Sequence, residues 1–173
     1  MANKARSTPA SANEDACARG ASPITRLFPK LLEHMSAVVK AESAIEGKAV
    51  FDPAFAAWLH GAEAAGDTLS DTVREMIALP ATHPSDEMPQ TLAFILDDLM
   101  GAETMAERYI ARGNALRYAG ELVFCGPHRA ASEMALARHG RDVLSRLLQL
   151  ELYRLQPDSL QGSTDLPEQP TLN

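Results

Sequence analysis

The chain predicts an all-α fold, and three features carry that prediction. Ala, Leu, Glu, Arg and Met dominate its middle while β-branched residues are sparse, a mixture that favours helix over strand. Apolar residues recur at spacings of three and four over long stretches. Proline, glycine and small polar residues fall between those stretches, where helices start and stop. At 173 residues and 46% hydrophobic the chain is long enough for one domain with a real core. With one Trp and few other aromatics, that core must come mainly from Leu, Met and Ala. The expected architecture is an elongated helical bundle built on a long antiparallel hairpin (about 53–79 and 89–113), with a first helix and a long C-terminal helix.

Residues 1–22 are rich in Ala, Ser, Asn and Pro without periodicity and read as a disordered arm. Residues 157–173 are polar with three prolines and read the same way, which leaves 24–156 as the single helical-bundle domain. The first helix is expected to start at Pro29, since proline suits the first helical position. Leu31, Leu32, Met35, Val38, Val39 and Ile45 follow helical spacing, and Gly47 is the stop.

The second helix has the clearest pattern. Asp52 suits an N-cap and Pro53 a first residue. Phe55, Trp58, Ala62, Ala65, Leu69, Thr72, Met76 and Leu79 then form an unbroken heptad seam that ends at Pro80. Such a helix would be about 40 Å long. Gly61, Ala62, Ala65 and Gly66 place small residues in its middle, which implies either a close helix crossing that offsets the cost of glycine or a break near Gly66.

The third helix is expected from Pro89, with Leu92, Ile95, Leu96, Leu99, Ala102, Ala106, Tyr109 and Ile110 on one stripe and Gly113-Asn114 as its C-cap. A short apolar helix over 115–124 and a break at Gly126-Pro127 follow. The last helix, about 128–155, is apolar nearly all round in its second half, from Val143 to Leu155. That pattern requires burial on more than one side, by the first helix or by a second subunit.

Charge is sorted along the chain. Residues 31–107 carry a net −11, while residues 108–154 carry +4 with eight bases that are all arginine. Such asymmetry points to association of opposite faces, within one molecule or between copies, or to an outside anion. On the second helix Glu63, Asp67, Asp71 and Glu75 form one line of carboxylates at every fourth position. Like charges so spaced destabilise an isolated helix. The line is therefore either a solvated face softened by Arg74, a surface paired with arginines in cis or in trans, or, least favoured, a cation-binding face.

The basic set is Arg108, Arg112, Arg117, Arg138 and Arg141, with Arg129 and Arg146 beside it. Asp142–Arg146 has the spacing of a local pair. Arginine suits planar pairing with carboxylate or phosphate, although a coding bias against lysine would give the same composition. Trp58, Leu147, Leu148 and Leu152 are the candidate apolar interaction residues.

Catalytic and metal chemistry find weaker support. Glu42/Glu46 and Glu103/Glu107 are further i,i+4 acid pairs, but the Glu-x-x-His motif of carboxylate-bridged di-iron bundles does not occur. His60, Glu63, Glu103 and Glu107 are the weak metal candidates. His34, His83, His128 and His139 form no two-His helical face with His60 or each other. Cys125 and His128 stand three residues apart, more readily as a buried thiol beside a break than as a nucleophile and base. Cys17 lies in the expected arm, so a structural disulfide is not expected and a reducing cytoplasm is the default compartment.

There is no apolar run of membrane-spanning length and no secretory h-region at the start. The sequence therefore favours a non-enzymatic helical interaction module that self-associates as a homo-oligomer or meets a protein partner, with no cofactor and no membrane. A bundle that binds an anionic ligand through its arginine-rich half is the alternative. Nucleic acid is possible but not favoured, because aromatic interleaving is thin. A carboxylate/His metal-binding bundle is the second alternative.

Overall fold

The structure, a computed structural model, describes residues 21–122 and 131–154. Among these it is all-α: α1 (Pro23–Ile45), α2 (Phe55–Ala78), α3 (Glu87–Gly101), α4 (Met105–Glu121) and α5 (Ala131–Leu147), followed by a 3-10 turn at Glu151–Tyr153. The expected disordered arm and tail, together with Cys17, Cys125, His128 and Arg129, lie outside the described residues except for Ala21 and Ser22.

α1 begins six residues earlier than Pro29. Ser22 Oγ accepts from the Thr25 backbone N at 3.0 Å, and Pro23 occupies the first position, so the cap and the preset φ of proline coincide there. Ile24 and Phe28 extend the apolar stripe backward and are fully buried with Leu31, Leu32 and Met35. The helix ends as expected before Gly47, whose φ of +72° only glycine adopts without strain.

α2 runs unbroken across Gly66, and its seam buries Ala62, Leu69, Thr72 and Met76. It starts at Phe55, not Pro53, because Asp52 Oδ1 caps the preceding turn through the Ala54 N at 2.8 Å. Its glycines are not sites of close crossing. A Cβ at Gly61 or Gly66 would meet nothing within 4 Å.

The helix expected over 89–113 is divided in two, so the matched-length hairpin is not confirmed, although α2 and α3 pack together. α3 stops at Gly101, and α4 restarts at Met105 under a capping box: Thr104 Oγ1 accepts from the Glu107 N at 3.2 Å, and Glu107 Oε2 accepts from the Thr104 N at 2.9 Å. Gly113-Asn114, expected as a C-cap, lies inside α4, which absorbs most of the expected short helix. The last helix also ends early. A turn over Leu148–Leu150 replaces its final stretch, and Val143, Leu144, Leu147, Leu148 and Leu150 are all buried. A straight helix would have pointed some of these leucines at water, and the turn brings them all inward.

α1 is the centre of the bundle and packs against α2, α3 and α5; α2 also meets α3, and α4 bridges α3 and α5. The all-round apolar segment of residues 143–150 is thus covered by the chain itself. Gly140 marks the tightest approach of α5, since a Cβ there would stand 3.4 Å from Leu32, 3.6 Å from Phe28 and 3.8 Å from Leu92.

Candidate functional site: an exposed face of α4 and an arginine-lined cavity

The break at Ala102–Thr104 decides what α4 presents. Only Ala111 and Ala115 of this helix are buried. Met105, Tyr109 and Leu116 fall within one narrow arc of a 3.6-residue helix, away from those alanines. They are 50%, 65% and 52% exposed. Ile110 is exposed on another side, and Phe94 of α3 is half exposed. The continuous helix expected from sequence would have kept Ala106, Tyr109 and Ile110 in the core stripe. The three residues are exposed instead.

Arg108 and Arg112 stand one turn apart on α4, and the chain returns to them after α5. A cavity of about 110 Å³ is lined by Leu99 and Met100 at the end of α3, Met105, Arg108 and Arg112 of α4, and Leu152, Tyr153 and Arg154. Arg108 Nε donates to the Ala102 carbonyl at 3.3 Å, and Arg112 Nη2 reaches the Leu148 carbonyl at 3.5 Å. Arg112 Nε is buried with no hydrogen-bond partner among the described residues. None of the three guanidinium groups forms an ion pair within the described residues, where the single salt bridge is Arg74–Asp71 at 2.9 Å. The Tyr153 phenol is pushed up by burial and by Glu42, with Arg108 opposing, so it remains a protonated donor at neutral pH.

The rest of the basic set is dispersed. Arg117 lies over the Tyr118 ring at 4.9 Å, Arg138 is exposed and Arg141 is half-buried. The Asp142–Arg146 pair expected from spacing does not form. Leu147 and Leu148 belong to the core, which corrects their reading as interaction residues, whereas Leu152 is 52% exposed at the cavity. Trp58 is half-buried on α2, with Lys48 Nζ 5.5 Å from its ring centroid.

Glu63, Asp67, Asp71 and Glu75 are exposed on α2. Among the described residues no arginine of α4, α5 or the segment after it pairs with this line, since α2 packs on α1 and α3, and its one ion pair is Asp71–Arg74. The metal reading finds no site among the described residues. His60, Glu63 and Glu103 are exposed, the Glu107 carboxylate serves the α4 cap, and no three His, Cys, Asp or Glu side chains cluster for an ion. Pairing of Glu103 and Glu107 along a helix face is also corrected, since Glu103 precedes the helix and donates its own N–H to Glu107 Oε2 at 3.0 Å. His34 packs inward, with Nδ1 2.8 Å from Thr72 Oγ1. Because that hydroxyl donates to the Thr68 carbonyl, it accepts from the imidazole.

Sequence reasoning missed Asp86, the fully buried acid at the other end of α3. Its carboxylate accepts from Ser22 Oγ, from Thr25 Oγ1 at 3.0 Å, and from the backbone N of Thr82 and of His83, each at 3.0 Å. Burial works to raise its pKa, but the four hydrogen bonds together hold it below the usual aspartate value. His83 Nδ1 also lies 2.7 Å from Ser85 Oγ. This is not an acyl-transfer triad, because Asp86 accepts from the His83 backbone and not from its ring, whose Nδ1 is held by Ser85 instead. Asp86 ties the start of α1 to the start of α3. The available signal was an acid immediately before a helix, in the turn Thr82–Asp86.

No protein-family model matches the chain, and no curated protein and no solved structure matches it. What the fold defines is an all-α bundle, and no helix among its described residues is long and apolar enough to cross a membrane.

Proposed function

We propose that this protein is a non-enzymatic interaction module that assembles with copies of itself through the exposed face of α4. The observation that supports this reading is the stripe of Met105, Tyr109 and Leu116, left open on a helix that buries only two alanines. Covering a side chain of this size contributes about 1.5–3 kcal/mol. The stripe is bordered by Arg108, Arg112 and Arg117, and the α2 line of Glu63, Asp67, Asp71 and Glu75 offers the complementary charge from another copy. Pairing of these opposite charges between copies contributes to the affinity and is screened by salt.

Sedimentation velocity tests the reading. The expected result is a species larger than 18.7 kDa at low salt that dissociates as ionic strength rises from about 0.05 M to about 0.5 M. Leu116→Glu should abolish the larger species without changing the helical circular dichroism. A monomer at every concentration and salt would overturn it.

A further inference from the structure

The arginine cavity makes a separate case. Its three cations come from two parts of the chain, α4 and the segment after α5, and no carboxylate among the described residues forms an ion pair with any of them. Arg112 Nε is buried without a partner. A guanidinium with no carboxylate partner keeps donor capacity that an anion entering the cavity can use. The cavity is also small. At about 110 Å³ it has room for a compact anionic head group.

We infer that the cavity lined by Arg108, Arg112 and Arg154 binds a small molecule bearing a phosphate monoester, with its short apolar body against Met105 and Leu152. Phosphoryl is preferred over carboxylate because one guanidinium already satisfies both oxygens of a planar carboxylate. Three guanidinium groups match the three peripheral oxygens and the dianionic charge of a phosphate monoester. The site shares Met105, Arg108 and Arg112 with the proposed assembly face, so phosphate is also titrated into Leu116→Glu, where no second copy competes for these arginines.

The test is calorimetric titration of the full chain at low salt with inorganic phosphate, ethyl phosphate and acetate, supported by thermal shift. Saturable phosphate binding is expected, tighter for ethyl phosphate and weaker by roughly tenfold for acetate. Arg112→Gln and Arg108→Gln should each weaken phosphate binding by roughly tenfold, while Arg138→Gln on the α5 surface leaves it unchanged. Arg108 is exposed, so its variant keeps the test sound if Arg112→Gln unfolds. Absence of saturable binding, equal binding of acetate, or equal loss in Arg138→Gln would each overturn the assignment.

Discussion

At the scale of single residues, Asp86 shows how a charge can be buried safely. Two hydroxyls and two backbone N–H groups meet its two oxygens, so its desolvation is offset by charge-assisted hydrogen bonds. Asp86→Asn exchanges one accepting oxygen for an NH2 that confronts donors. The expected loss is about 2–3 kcal/mol. For a chain of this size that corresponds to a melting temperature lower by about 5–10 °C. The sign of the pH dependence follows from the lowered native pKa. The unfolded chain binds the proton more tightly, so this stabilisation is present above the unfolded aspartate value, near 3.9, and is lost as pH falls through the native value. Thermal melts of Asp86→Asn and the parent protein should therefore differ at pH near 7 and converge in acid. A constant difference across that range would mean the carboxylate charge is not what stabilises the turn. Glu42 has the opposite sign: burial first, and then Glu46, push its pKa up, so its ionisation at neutral pH works against folding.

At the scale of elements, what was legible depended on whether a pattern had one physical solution. The α2 seam did, because eight apolar or small residues at spacings of three and four can face a core in only one way, and the helix forms across it. The split of 89–113 into α3 and α4 was harder, since Leu92 to Leu99 and Ala102 to Ile110 continue one stripe without a phase change. The deciding signal was local: Thr104-x-x-Glu107 satisfies two backbone donors reciprocally, and the apolar period does not register that. Of the all-round apolar stretch read over Val143–Leu155, the leucines of residues 144–150 are buried while Leu152 is 52% exposed, because a turn that periodicity does not register ends the helix.

Glycine in α2 gives the element-scale prediction. Nothing approaches the missing Cβ of Gly61 or Gly66, so each pays the backbone entropy cost without a packing return. Gly61→Ala and Gly66→Ala should each stabilise the fold by up to about 1 kcal/mol. Melting temperature should rise by about 2–4 °C per substitution. Gly140→Ala should gain at least as much, because its Cβ would stand at ordinary contact distance, 3.4–3.8 Å, from Leu32, Phe28 and Leu92. A loss of stability in both α2 variants would mean those glycines are needed for a close approach.

At the scale of the whole molecule, the proposed assembly has a geometric consequence. The acidic line lies on α2 and the apolar stripe with its arginines on α4, and these helices do not share a packing interface of any size. Two faces lying far apart on one copy make a heterologous contact, which closes into a ring or extends as a filament, whereas in a two-fold dimer both faces belong to one self-complementary patch. Complementation separates these cases. A variant with Glu63→Lys and Asp67→Lys has lost the acidic face, and a variant with Tyr109→Glu and Leu116→Glu has lost the α4 face. Each alone should be monomeric. Mixed, each supplies the face that the other lacks, so the pair should form a heterodimer that cannot grow further. A two-fold interface built on the α4 stripe alone would not be restored by mixing, because the Tyr109→Glu, Leu116→Glu copy would still lack its half. A mixture that stays monomeric, beside a parent protein that assembles, would therefore exclude head-to-tail contact and move the acidic line of α2 out of the interface.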